Sequence, residues 1–298
     1  MRKQSLIAMS LAAVLFASGG ARAEEENCRL GRYASLPIAF DQDGGATVPI
    51  TLNGQVQTML VDTGGAYSML TESAVAQLNL SPMTSQYVEV QMFGGLRSNQ
   101  YVTVGSLDMA GIHFPNKDFM LMPDGFMPAA DNGILAPDIL KIFDVDLDFA
   151  AGKLNLMSQK HCRGQVVYWT QDPYAQIPFF LVGWHLRIKL QLDGQEVLAD
   201  LDTGAFRSVM SLETAKELFK IDDAVLSKNN NRYPFKILSL HGVTVNNPDI
   251  VLLPDAESKV LDDNRAPKML LGMGVLRQLH LYIAYKEHKI YVTPASAH

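Results

Sequence analysis

Asp62 and Asp202 are the residues best suited to do chemistry, because each heads the same tripeptide, Asp62-Thr63-Gly64 and Asp202-Thr203-Gly204, 140 positions apart. Each copy follows a short apolar run. Two carboxylates on equivalent positions of a duplicated unit can be brought side by side. At about 3 Å they cannot both ionise, so one proton is shared over a wide pH range. The ionised member can take a proton from a water while the protonated member donates to a polarised carbonyl oxygen, which hydrolyses a bond without metal, cofactor or covalent intermediate. Thr63 and Thr203 carry hydroxyls short enough to reach the other copy's backbone. Gly64 and Gly204 allow a sharp turn that brings backbone N–H groups to the carboxylates. The alternative is that both tripeptides are capped turns of a duplicated β protein.

The elements that must position these residues repeat as well. Ile50-Thr51-Leu52-Asn53-Gly54-Gln55 aligns with Leu190-Gln191-Leu192-Asp193-Gly194-Gln195. Asn-Gly and Asp-Gly between alternating apolar residues predict tight hairpins with both central residues at positive φ. Downstream, Thr71 and Ser211 stand as N-caps of a short helix in each copy. Ile134-Leu135-Ala136-Pro137-Asp138 pairs with Leu270-Leu271-Gly272-Met273-Gly274, and each is followed by two short strands, from Phe143 and Lys153 in one copy and from His280 and Lys289 in the other. Asp138, Asp144, Asp146 and Asp148 read as the polar partners of an alternating strand and its lead-in. The chain is thus expected to be all-β, a tandem duplication with little helix.

With 298 residues and 48% hydrophobic content the chain can bury one large core or two medium ones, and the duplication favours two lobes. Residues 1–23 carry Arg2-Lys3, an apolar stretch from Leu6 to Phe16, and Ala21-Arg22-Ala23 before an acidic run. That is the layout of a secretory signal cleaved near Ala23, the alternative being an uncleaved anchor. The mature protein is expected in the periplasm or secreted, with no membrane span. Removing the signal takes three cations and no acid, so the net charge goes from −6 to about −9, with no basic tract for nucleic acid. The two cysteines, Cys28 and Cys162, suggest a disulfide from the mature N-terminus to the connection between lobes, against two unpaired thiols. His161 has no second Cys/His pair at ligand spacing, so no metal site is expected. The boundaries expected are a lobe at 24–165, a connector at 166–176 and a lobe at 177–298. Leu36-Pro37-Ile38 reads as the first strand of the first lobe.

Apolar-Asp-Thr-Gly occurring twice, with Leu270-Leu271-Gly272 behind one copy and the altered Ile134-Leu135-Ala136 behind the other, resembles the aspartic peptidases of the retropepsin-like and pepsin-like families, in their bacterial, exported, two-lobed form. The resemblance covers essentially the whole mature chain. It implies two similar lobes about a pseudo-twofold axis, an aspartic endopeptidase acting on extended polypeptide through water activated between Asp62 and Asp202, no cofactor, and a monomer. A selective processing role in the cell envelope suits an exported enzyme; an exported peptide-binding protein without efficient turnover is the alternative. Pepsin-like members carry Ser or Thr after Asp-Thr-Gly, whereas Gly65 and Ala205 stand here, and retroviral-type members have Ala; by analogy activity is expected at mildly acidic to neutral pH.

The family's flap corresponds to Val88–Arg97, with Phe93-Gly94-Gly95 at the tip touching substrate; an ordinary Gly-turn hairpin is the alternative. The matching stretch of the second half, Ser227–Tyr233, is polar and lacks a glycine tip, which implies a single flap. Asp200 stands where the first half has Leu60 and shares a face with Asp202, so it either raises the Asp202 pKa or is a solvated or capped carboxylate. Met120, Met122, Phe126 and Met127 belong either to the cleft or, more simply, to core packing.

Overall fold

The computed structural model describes residues 28–222, 232–254 and 269–295, and the segment 1–23 expected to be a secretory signal lies outside them. The Asn-Gly and Asp-Gly turns form as their chemistry dictates. Strands Ala46–Leu52 and Gln55–Val61 meet at Asn53 and Gly54 (φ 48° and 81°), and His185–Leu192 and Gln195–Leu201 meet at Asp193 and Gly194 (φ 45° and 83°). The turns fix the register, Thr47 opposite Leu60 in the first half and Arg187 opposite Asp200 in the second.

Each half then threads a third strand beside the second. Gly133–Leu135 runs parallel to Gln55–Val61 and antiparallel to Met69–Thr71; Met269–Leu271 runs parallel to Gln195–Leu201 and antiparallel to Ser208–Ser211. The strand entering each helix ends at its cap: Thr71 Oγ1 accepts from Ala74 N at 3.2 Å ahead of the helix Glu72–Gln77, and Ser211 Oγ accepts from Thr214 N at 3.1 Å ahead of Leu212–Phe219. The other helices among the described residues are single turns, Pro137–Leu140 and Met273–Leu276. The described chain is mostly β.

The halves join through a six-strand antiparallel array in the order Arg32–Pro37, Lys153–Met157, Asp144–Asp148, Leu279–Ala284, Lys289–Pro294, Ala175–Val182. Val145 pairs with Ile283 at its centre, so one apolar cluster runs through both halves rather than stopping at the join. The first strand starts at Arg32 and Pro37 closes it. Pro178 stands where its strand changes partner, from Lys289–Pro294 to His185–Leu192. A missing N–H is cheap at either place.

Asp144, Asp146 and Asp148 depart from the alternating pattern expected of them, since all three are buried. Asp144 accepts from Tyr285 N at 3.0 Å and lies 2.7 Å from His161 Nε2; Asp146 lies 2.6 Å from His280 Nε2 and accepts from Asn155 Nδ2 at 2.8 Å and from the Tyr168 hydroxyl. Trp169 stacks on His280 with ring centroids 4.1 Å apart and donates to Thr293 Oγ1 at 3.0 Å. The 166–176 segment is thereby tied to the join, and Cys28 is disulfide-bonded to Cys162 next to His161. Removing one partner of a buried polar pair leaves the other uncompensated. His280→Leu is therefore expected to cost about 3–5 kcal/mol in urea unfolding, and His280→Leu with Asp146→Leu less than the sum of the single changes. A single-variant loss below about 1 kcal/mol would show that the pair is not what holds the join.

Candidate active site

Asp62 and Asp202 each leave a strand at the same point and are pinned there by the neighbouring parallel strand, Asp62 N donating to Leu135 O and Asp202 N to Leu271 O, both at 3.0 Å. The threonines cross between the halves. Thr63 Oγ1 donates to Leu201 O at 2.9 Å and accepts from Thr203 N at 3.1 Å; Thr203 Oγ1 donates to Val61 O at 2.6 Å and accepts from Thr63 N at 3.0 Å. Both side chains are fully buried, so these bonds are not in competition with water.

The backbone after each aspartate turns back onto it. Asp62 Oδ1 accepts from Gly64 N at 2.9 Å and Gly65 N at 2.8 Å, and Asp202 Oδ1 from Gly204 N at 2.9 Å and Ala205 N at 3.1 Å. The carboxyls hydrogen-bond each other. Glycine is required by proximity, not by φ: a Cβ on Gly64 would fall 2.5 Å from Asp202 Oδ1, and one on Gly204 2.5 Å from Asp62 Cγ.

Burial raises both carboxyls above the ordinary aspartate value. For Asp62 it is opposed by the Gly65 N–H, the bond from Asp202, the Gly64 N–H and the charge of His185. For Asp202 it is reinforced by the charge of Asp62 and the bond between the two carboxyls, and opposed by the Gly204 and Ala205 N–H groups. The dyad therefore carries one proton shared between the two carboxyls.

The dyad lies in a cavity of about 830 Å³. Its wall from the first half is largely apolar, with Leu60, Met69, Met122, Met127 and Ile134. The hairpin Val90–Gln91 with Arg97–Ser98 borders it, Met92 buried against this apolar patch and Phe93 half exposed on the cavity. Gly94 and Gly95 take positive φ, 84° and 88°, and form the turn, while Gln91, Met92 and Phe93 line the cavity. Met122, Phe126 and Met127 belong to the cleft, Met120 and Leu121 to the core.

Asp200 is neither solvated nor simply a neighbour of Asp202. It is buried and held by Arg187, Nε to Oδ1 at 2.9 Å and Nη2 to Oδ2 at 3.1 Å. Arg187, Asp200 and His185 all line the cavity. The cross-strand partnership was readable in principle, because the Asp193-Gly194 turn sets the register that puts 187 opposite 200. Of the second-half stretch 227–233, residues 227–231 lie outside the described residues, and Arg232 pairs with Asp249 at 2.8 Å.

A second carboxyl contact lies beside the cleft. Asp41 Oδ2 and Asp131 Oδ2 are buried without a donor among the described residues, and burial first, then the charge of Asp41, pushes Asp131 up to about 6. A folded-state pKa above the unfolded one means that stability is present at acid pH and is lost as pH rises through about 6. Asp131→Asn is accordingly expected to stabilise by on the order of 1–2 kcal/mol at pH 7.5. The gain shrinks to nothing near pH 4. Thermal melts across that range check it, and a gain independent of pH would contradict the cause given.

A family model described as aspartyl protease matches residues 48–138, a little under a third of the chain. The span takes in Asp62-Thr63-Gly64, the hairpin and Ala136. A search of curated proteins finds no match. The first half of this site is thus similar to an aspartyl protease, a class whose substrates are polypeptides.

Proposed function

We propose that the chain is an aspartic endopeptidase in which Asp62 and Asp202 form one catalytic dyad on a two-lobed fold. The observation that carries this reading is the pair itself: two hydrogen-bonded carboxyls sharing a proton at the floor of a cleft, locked by reciprocal Thr63 and Thr203 bonds. The family match reaches the first Asp-Thr-Gly only; the second half repeats its hairpin, threaded strand, cap and N–H contacts, which supports extending the match by internal symmetry.

We assign the roles from the neighbourhood of each carboxyl, His185 acting on Asp62. Asp62, ionised and facing two N–H groups and His185, takes a proton from the attacking water. Asp202 gives its proton to the carbonyl oxygen as the tetrahedral centre forms. Collapse passes the proton on Asp62 to the leaving amine and returns a proton to Asp202, so no group is consumed. The hairpin bearing Phe93, Gly94 and Gly95 covers an extended peptide, which adds along exposed backbone as a strand.

The lobes are taken as 24–165 and 177–298 around a 166–176 connector, following a signal removed near Ala23. The Cys28–Cys162 disulfide supports an oxidising, extracytoplasmic location. We assign it the selective processing of envelope proteins, as a monomer. Calorimetry with a peptide whose scissile amide is replaced by a hydroxyl-bearing tetrahedral centre tests the assignment. It should bind at least about a hundredfold tighter than the matching amide peptide held on Asp202→Asn, because the dyad is complementary to the transition state. Equal affinity for both would make the protein a peptide binder.

A further inference from the structure

The two halves place different chemistry at equivalent points of the cleft. Shifting by the 140 residues that separate the aspartates, Leu60 corresponds to Asp200, Thr47 to Arg187 and Gly45 to His185. The backbone registers agree, Thr47 opposite Leu60 and Arg187 opposite Asp200. In the first half Leu60 packs among Met69, Met120 and Ile134. In the second, the same position holds a buried carboxylate bonded through two nitrogens to a buried guanidinium, both on the cavity wall, with His185 beside them and close enough for its charge to act on Asp62.

A buried ion pair is a poor way to gain stability, since apolar residues of similar volume commonly do as well. The first half demonstrates that this strand pair folds with Thr and Leu. The ion pair is therefore better explained by what the wall touches. Peptide side chains that bind a wall displace its water. An aliphatic one leaves polar groups without compensation, whereas one with its own donors or acceptors replaces what was lost. Arg187, Arg207 and His185 line the cavity from this half and Asp200 is held by Arg187, so the donors on this wall suit a side chain that brings acceptors.

We propose that the Arg187–Asp200 pair and His185 make one side of the cleft a polar subsite, so that the preferred substrate carries a carboxamide or carboxylate side chain on one side of the scissile bond and an aliphatic one on the side bound by the Leu60 wall. This rests on the peptidase reading and narrows its substrate class to amphiphilic junctions.

A peptide pool randomised on both sides of a central bond tests it, read by the ends produced by the wild type and by the intact peptides captured on Asp202→Asn. Glu or Gln at one position is expected at least tenfold over Leu and Lys. Arg187→Thr with Asp200→Leu, the residues of the first half, should bring that ratio to one or reverse it while leaving the preference on the other side unchanged. A wild-type preference for aliphatic residues on both sides overturns the proposal, as does a ratio that survives the double change. If the double variant does not fold, His185→Ala and the wild-type profile decide between the same outcomes. If peptides are captured but none is cut, the peptidase reading fails while the composition of the captured peptides still judges the subsite. If none is captured or cut, the subsite fails as well.

Discussion

Asp62→Asn and Asp202→Asn are each expected to lower kcat/KM for peptide cleavage by about 10³- to 10⁴-fold, and the double change to cost little more than either alone. Non-additivity follows from the geometry. Asp62 N–H contacts, the carboxyl–carboxyl bond and the reciprocal threonines make one unit, so removing either charge state disables both steps. Loss of activity through unfolding is separable from loss of chemistry. Both carboxyls are raised above the ordinary value by burial, so their ionisation costs stability as pH rises through their folded values. The Asn variants should therefore melt no lower than the wild type at pH 7. Inactive variants with sharply lower Tm would point to a structural role; active ones would remove the dyad.

The second large effect is expected at Gly64 and Gly204. The space a methyl group would need is occupied by the opposite carboxyl, Asp202 for Gly64 and Asp62 for Gly204. Alanine forces the carboxyls apart while leaving the threonine bonds in place. A displacement of about 1 Å at reacting groups is worth roughly 10²-fold in rate. Gly64→Ala or Gly204→Ala should lose at least that in kcat with a smaller change in KM. Gly65 provides an internal control. A Cβ there would lie 2.6 Å from Asp62 Oδ2 and 3.3 Å from the Ala136 methyl, whereas the second half carries the complementary arrangement, Ala205 with Gly272. Gly65→Ala should thus be partly rescued by Ala136→Gly, and Gly64→Ala should not.

What the sequence made legible is what local chemistry determines. Positive-φ turns at Asn53-Gly54 and Asp193-Gly194, the Thr71 and Ser211 caps and the duplicated tripeptides are short-range signals, and each is found where its chemistry puts it. The crossing of Thr63 and Thr203 could be anticipated because the duplication implied a symmetric meeting. Asp144 and Asp146 were misjudged because their burial depends on His161, His280 and Tyr168, which lie 17, 134 and 22 residues from their partners. An alternating pattern reports which residues share a face, not whether both faces are covered, and both faces of the join are. Asp200 was ambiguous for a related reason: a carboxylate two residues before Asp202 suggests repulsion until its cross-strand partner Arg187 is taken into account. His185 gave no signal, since a lone histidine at the start of a strand has no distinguishing context until the cleft exists.

The pH dependence of kcat/KM for one cleaved peptide between pH 3 and 8 tests the central claim most directly. A bell is expected, its acid limb set by the first ionisation of the dyad and its basic limb by the second, with both limbs displaced above the ordinary aspartate value of 3.8. A profile confined below about pH 3, or turnover that persists undiminished in Asp62→Asn, would contradict a shared-proton dyad at this site.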